Sequence, residues 1–185
     1  MKTLVIYGSA RKKGHTRSMV DAFLAEAPGQ VDTVDAYRTK DVSPCIDCRH
    51  CFKKRECAIA DGMQEINRLV DGADRILLAA PIYFHSVPGP MKCILDRFQM
   101  YWAGTVRKDR PAALKKGGAI LLCGGAPSFP GQFTGGELVL RGVLSDLGRT
   151  CVGMVTSFHT DVSPVDQNRE VLEQIRELAR ETYRD

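Results

Sequence analysis

Four cysteines crowd into one short stretch, Cys45-x2-Cys48-x2-Cys51-x5-Cys57, the sharpest local concentration of reactive side chains in the chain. Overlapping CxxC steps let a single loop wrap three thiolates around a common centre, with the fourth arriving soon after. A related run, ending in x3 and Pro, holds [4Fe–4S] clusters. Zinc usually takes two CxxC knuckles separated by a longer stretch, which makes it the weaker reading. A loop of reduced thiols with no metal at all fits the same spacing, because spacing is blind to the groups that would support a cluster from behind. Arg49, Lys53, Lys54 and Arg55 surround the box. They would offset a cluster's charge or attract an acidic partner, although a solvated basic loop is the simpler account of most of them. His50, inside the box, is expected to be exposed rather than ligating. Cys93, Cys123 and Cys151 fall in core-like elements and are expected to act as small buried apolar residues.

A second constellation is the turn Gly8-Ser9-Ala10-Arg11-Lys12-Lys13-Gly14-His15-Thr16. It follows the apolar run Leu4–Tyr7 and precedes an amphipathic stretch. A strand, a polar turn and a helix start, in that order, aim backbone N–H groups and the helix dipole at one point, which suits an anion such as phosphate. Ser9 and Thr16 add hydroxyls, Arg11 a fork of donors, and Gly14 room for close approach. The spacing is neither that of the GxGxxG fingerprint nor that of a Walker loop. An ordinary strand–helix loop carrying surface cations is the plain alternative.

The third stretch, Pro81-Ile82-Tyr83-Phe84-His85-Ser86-Val87-Pro88-Gly89, is apolar and aromatic where a loop would normally be polar. An isoalloxazine ring wants such a surface. The plain alternative is that Tyr83 and Phe84 pack beneath the loop; a phosphate cradle on the neighbouring strand favours the cofactor.

The elements that must position these loops follow from hydrophobic periodicity. Strands are expected at about 2–8, 31–37, 76–80, 119–123 and 151–155. Helices are expected at 16–27, from Asp61 with Gln64 in a capping-box arrangement, at 90–102, at 136–147, and after Ser163-Pro164 with Pro at the first position. Glu173–Arg176, Glu177–Arg180 and Glu181–Arg184 would pair on the solvated face of the last helix, and Lys92–Asp96 along the helix at 90–102. The segment 103–118 reads as irregular and basic. Strands alternating with helices, most strands apolar on both faces, define an α/β three-layer, doubly wound sandwich with a five-stranded parallel sheet in the flavodoxin-like order 2-1-3-4-5. Ligands of such sheets sit beyond the carboxyl ends of strands 1 and 3, where the informative loops fall.

Gly8-Ser9-x-Arg11-x-x-Gly14-x-Thr16 and Pro81-Ile82-Tyr83-x-x-Ser86-Val87-Pro88-Gly89-x-Met91-Lys92-x-x-Leu95-Asp96-Arg97 resemble the two signatures of the NADPH-dependent FMN reductase family, over almost the whole chain. The resemblance implies a flavodoxin-like FMN protein that takes hydride from NADH or NADPH and passes electrons to a small-molecule or protein acceptor, as a homodimer or homotetramer. It implies that Ser9, Arg11, Gly14, His15 and Thr16 hold the FMN phosphate, that Pro81, Ile82, Tyr83, Phe84 and Ser86 line the ring, and that Gly124, Gly125 and Ala126 approach it. The loop after strand 4 departs from the family's Gly-Gly-x-x-x-Gly-Gln-Glu pattern, since Phe133 follows Gln132. The cysteine box resembles the iron–sulfur flavoprotein branch, which implies Cys45, Cys48, Cys51 and Cys57 as ligands of a [4Fe–4S] cluster and a ferredoxin-like partner for an electron carrier. Relatives with a similar loop and no cluster keep the plain reductase open. No protein catalytic residue is expected, since the chemistry belongs to the cofactor.

Composition limits the alternatives. With 185 residues, 44% of them hydrophobic, one compact domain is expected, with a cysteine-rich insertion at about 38–60. A net charge of +4 without a Lys/Arg block argues against nucleic acid as a partner. No apolar run is long enough to span a bilayer and no charged leader precedes the first strand, so the expected location is the cytoplasm, where seven cysteines are expected to stay free of structural disulfides. Tyr101 and Trp102 read equally as core residues or as a cover for a second subunit's flavin.

Overall fold

The computed structural model describes residues 1–109 and 115–184. Its centre is one parallel sheet in the order β2-β1-β3-β4-β5. The strands are β1 (Lys2–Tyr7), β2 (Gln30–Asp35), β3 (Arg75–Pro81), β4 (Lys115–Cys123) and β5 (Arg149–Ser157). Seven α-helical segments accompany them among the described residues: α1 (His15–Leu24), α2 (Met63–Gly72), α3 (Gly89–Arg97), α4 (Gln99–Trp102), α5 (Gly104–Arg107), α6 (Thr134–Asp146) and α7 (Arg169–Tyr183).

Strand alternation divides the core in two. Leu4, Ile6, Ile76, Leu78, Ile120 and Leu122 point to one face, where Met63 and Ile66 of α2, Met91 and Ile94 of α3 and Leu140 and Leu144 of α6 cover them. Val5, Tyr7, Leu77, Ala79, Leu121 and Cys123 point to the other, beneath Met19 and Phe23 of α1 and Ile175 and Leu178 of α7. The central strands are buried on both sides, hence their unbroken apolar runs.

Several boundaries differ from the sequence reading, for identifiable reasons. The expected helix over 90–102 breaks at Phe98 into α3 and α4. Met91, Ile94, Leu95 and Phe98 form a stripe toward the sheet; Met100, on the opposite side at helical spacing, is buried against the cysteine segment instead. Strand β4 reaches back to Lys115 through an irregularity at Gly117, whose φ of 106° is open to glycine. Of the supposedly irregular stretch 103–118, Gly104–Arg107 is the helical turn α5, and 110–114 lies outside the described residues. Ser163-Pro164 does not cap the last helix: a short 3-10 turn, Val165–Gln167, follows Pro164, and Asn168 caps α7 by accepting from the Val171 N–H at 3.1 Å. On α7, Glu173 pairs with both Arg176 and Arg180, so Arg180 bridges back a further turn rather than to Glu177. The capping box is present, with the Met63 N–H donating to Asp61 Oδ1 and the Asp61 N–H to Gln64 Oε1. Lys92–Asp96 is an intrahelical ion pair at 2.5 Å. Among the described residues no helix is long and apolar enough to cross a membrane.

Candidate functional site

At the carboxyl ends of β1, β3 and β4 a recess of about 640 Å³ opens to solvent. Ser9, Arg11, Gly14, His15 and Thr16 line it from the turn after β1; Pro81, Ile82 and Tyr83 from the turn after β3; Gly124 and Gly125 from the end of β4. The register explains the convergence. Tyr7 lies beside Ala79 and Pro81 beside Cys123, so the three turns leave the sheet at nearly one level, at the point where strand order reverses.

The first turn is fastened from outside. Tyr7 Oη donates to the Arg11 carbonyl at 2.8 Å, and Arg38, itself paired with Asp35, donates to the Ala10 carbonyl at 3.0 Å. With those carbonyls engaged, the N–H groups across the same peptide planes, those of Arg11 and Lys12, point the other way. The Arg11 N–H donates to the buried Ser9 Oγ at 3.3 Å. Helix α1 begins at His15 with no side-chain cap, leaving its first amides open beside the recess. His15 Nδ1 accepts from the Val165 N–H at 3.4 Å, which leaves Nε2 as the ring's donor. Thr16 Oγ1 meets Cys123 Sγ at 3.2 Å, and burial pushes the Cys123 thiol up to about 11. Uncapped amides, a guanidinium and two hydroxyls form a donor set that fits a phosphate dianion.

The second turn is tight. Tyr83 and Ser86 exchange backbone hydrogen bonds at 2.8 and 3.1 Å, with Phe84 and His85 both at positive φ, 46° and 62°. The turn throws the Phe84 ring wholly into solvent. Helix α6 braces the turn from behind: a Cβ on Gly135 would stand 2.2 Å from the His85 carbonyl oxygen, so only glycine lets the helix approach this closely.

Ten of the thirteen residues expected to bind cofactor therefore share one recess; Phe84, Ser86 and Ala126 do not line it. Ser86 is engaged in its turn, and the Ala126 carbonyl accepts from the His159 N–H at 2.8 Å and from Gln132 Nε2 at 3.3 Å. Sequence reasoning missed Cys123, Thr160 and Asp161, which complete the lining. The signal was available: the carboxyl end of the edge strand β5 borders the same crevice. The Thr160 N–H and Oγ1 both bond to the Gly124 carbonyl and fold the loop inward.

All four box cysteines line a second recess, of about 410 Å³, together with Ile46, Phe52, Arg97 and Met100. Cys45 and Cys48 are exposed, Cys51 and Cys57 half-buried. Burial raises the Cys51 thiol against a backbone hydrogen bond that lowers it, and the neighbouring Cys57, Cys45 and Cys48 raise it further. Among the described residues no three Cys, His, Asp or Glu side chains meet closely enough to hold a single metal ion. Arg97, 2% exposed, spans the segment by donating to the carbonyls of Ser43 (2.6 Å) and Ile59 (3.3 Å) and twice to Asp61. Arg107 donates to the Cys51 carbonyl and pairs with Asp109 at 2.9 Å. The Arg97 Nε–H is buried without a partner and Arg97 lines the sulfur-rich recess, so donor chemistry and space both fit a polynuclear sulfur cluster.

The remaining expectations resolve individually. His50 is half-exposed and bonds Glu56 at 3.0 Å. Cys123 is buried as expected, whereas Cys93 and Cys151 are only partly so. Tyr101 packs against the core and bonds the Asn67 carbonyl and Asp71, both at 3.2 Å, while Trp102 stands edge-on to Phe52 at 5.7 Å and is 39% exposed.

The sheet order and paired turns define the flavodoxin-like class. Residues 1–132 match the NADPH-dependent FMN reductase family, and the chain belongs to that family of flavin oxidoreductases. It is 32% identical over 160 residues to an iron-sulfur flavoprotein of Archaeoglobus fulgidus, covering 85% of this chain and 69% of the relative. An iron-sulfur flavoprotein of Methanocaldococcus jannaschii is 33% identical over 136 residues, covering 72% and 67%. In fold the chain is similar to an NAD(P)H:quinone oxidoreductase from Methanothermobacter marburgensis, with a TM-score of 0.71, 18% identity, and 100% and 97% of the two chains covered. A similar likeness holds to an FMN-dependent NADH-azoreductase of Bacillus anthracis solved with FMN, with a TM-score of 0.68, 14% identity and 97% of each chain.

Proposed function

We propose that this chain is an FMN-dependent oxidoreductase holding the cofactor's phosphate with Ser9, Arg11, Gly14, His15 and Thr16 and its ring with Pro81, Ile82 and Tyr83. The observation that carries the reading is a single recess shared by an uncapped helix start with an arginine and by an apolar, aromatic turn. Bound FMN supplies hydride and electron-transfer chemistry. The chain's own part is to neutralise the phosphate with Arg11 and the amides of α1, to donate from His15 Nε2, and to offer Thr160 and Asp161 as acceptors for the polyol. Gly124 and Gly125 lack side chains that would obstruct the ring. Tyr83 and the exposed Phe84 are suited to meet the nicotinamide of NADH or NADPH. Both recesses belong, in this reading, to one domain with segment 38–60 inserted between β2 and α2.

A second reading is favoured by the four-cysteine recess and its unpartnered Arg97 N–H: an electron carrier in which Cys45, Cys48, Cys51 and Cys57 hold a [4Fe–4S] cluster and the partner is a ferredoxin-like protein. The names of its archaeal relatives support it. Anaerobic purification followed by absorbance, iron and sulfide analysis separates the two. About four irons and four sulfides per chain support the carrier; a yellow protein without iron, bleached by NADH or NADPH, supports the reductase. A protein that carries neither chromophore and takes up no FMN contradicts both.

A further inference from the structure

We propose that Arg97 is the hydrogen-bond donor that sets the reduction potential of the group held by Cys45, Cys48, Cys51 and Cys57. The inference rests on the cluster reading of the box and assigns a role to a residue outside it.

Arg97 has five N–H donors. Four make hydrogen bonds: to Ser43 O, Ile59 O and the two oxygens of Asp61, at 2.6, 3.3, 2.7 and 3.0 Å. Ser43 and Ile59 lie two residues outside the first and last cysteine, so one planar group grips both ends of the segment. The fifth donor, Nε–H, is buried and unpartnered. An unsatisfied buried donor costs about 1–3 kcal/mol, more when charged, so such a group calls for an acceptor from outside the protein's own polar atoms. Arg97 lines the same recess as the four cysteines, and Cys57 is near enough to act on the guanidinium as a charge.

Asp61 already balances the cation, so Arg97 contributes a fixed direction of donation rather than a free positive charge. A hydrogen bond to a cluster sulfur or its thiolate favours the reduced, more negative state and raises the potential. Lysine in this place would keep the charge and the pairing with Asp61 but lacks the in-plane Nε donor. Arg107 is the natural comparison, because it ties the same segment through the Cys51 carbonyl.

The test is a spectroscopic redox titration of the anaerobically prepared holoprotein, with iron counted in each sample. Arg97→Lys is expected to keep its iron and to shift the oxidised-to-reduced ratio about tenfold toward oxidised at the wild-type midpoint, about 59 mV for a one-electron couple. Arg107→Lys is expected to titrate with the wild type. Identical midpoints for wild type and Arg97→Lys, or equal shifts in both variants, overturn the proposal while leaving the cluster in place. Iron-free wild-type protein overturns the cluster reading itself, and this inference with it. Should Arg97→Lys fail to retain iron, protein carrying Arg49→Lys, Arg55→Lys and Arg107→Lys and grown on arginine labelled with 15N only in the guanidinium decides by pulsed EPR: a 15N coupling to the reduced cluster supports the proposal and its absence overturns it.

Discussion

Asp61 accepts two hydrogen bonds from Arg97, at 2.7 and 3.0 Å, in an ion pair whose side chains are 8% and 1% exposed. The same carboxylate accepts from the N–H groups of Ser43 and Met63, so it joins the start of α2 to the start of the cysteine segment. Arg97 brings in the end of α3 and the carbonyl of Ile59. Three separate stretches of chain thus meet on one ion pair, at the edge of the cysteine recess.

Removing one partner of such a pair leaves a buried charge uncompensated, at a cost of about 3–5 kcal/mol. Asp61→Ala is expected to lower the unfolding free energy by that much, and the denaturant midpoint with it, and to open the cysteine segment, with Cys51 and Cys57 labelling faster in metal-free protein. A midpoint within error of wild type would show that the pair contributes nothing.

Acid should weaken the same junction. Burial alone would raise the Asp61 carboxyl; hydrogen bonds from Arg97 and from the Ser43 and Met63 amides overcome this and hold it below its usual range. A carboxyl depressed in the folded state stabilises above its unfolded value of about 3.9 and loses that contribution as pH falls through the folded value. Stability of the wild type is expected to drop below about pH 4, and Asp61→Asn to show a shallower drop there. Parallel pH profiles would contradict the assignment.

Much of this architecture is legible in the sequence. The apolar runs at Leu4–Tyr7 and Ile76–Ala80 announce interior parallel strands, and the capping box at Asp61 and Gln64 is visible as a spacing. The Arg97–Asp61 contact is not, because its partners lie thirty-six positions apart and the cap role already accounts for Asp61. Thr160 and Asp161 escaped for a related reason: what brings them to the recess is the bond from Thr160 to the Gly124 carbonyl, a tertiary contact with no periodic signature. Phe84 shows the reverse case. Its residue type suggested a pocket wall, but positive φ at two successive residues turns its ring outward, and backbone handedness is invisible in a list of side chains.

The brace behind that turn should be sensitive to a single methyl. With a Cβ only 2.2 Å from the His85 carbonyl, Gly135→Ala must push α6 away from the turn. Overpacking of this kind costs about 1–3 kcal/mol. The variant is expected to lose stability in that range and to bind FMN more weakly, read by denaturant melts and by quenching of flavin fluorescence. Unchanged stability would mean that the turn yields without resistance.

Thiol reactivity offers an independent check on the floor of the first recess. Cys123 is buried, its thiol raised to about 11 by desolvation despite the Thr16 hydroxyl, so it should resist alkylation at pH 8. Cys45 and Cys48 are exposed and are expected to be modified first in metal-free protein, as mass spectrometry of timed samples would record. Early labelling at Cys123 would contradict the packing described.

Arg11 is the charged member of the phosphate side. Arg11→Ala removes charge-assisted hydrogen bonds of about 1.5–3 kcal/mol, so FMN affinity should fall by roughly tenfold to a hundredfold. Riboflavin, which lacks the phosphate, should bind wild type and variant alike. Equal losses for both flavins would place Arg11 elsewhere than on the phosphate.

The most direct measurement is therefore a fluorescence titration of the flavin-free wild-type chain with FMN and with riboflavin in parallel. Strong quenching by the protein for FMN, with riboflavin bound far more weakly, is the expected result if the turns after β1 and β3 hold opposite ends of one mononucleotide. Equal affinity for the two flavins, or no quenching of either, would contradict it.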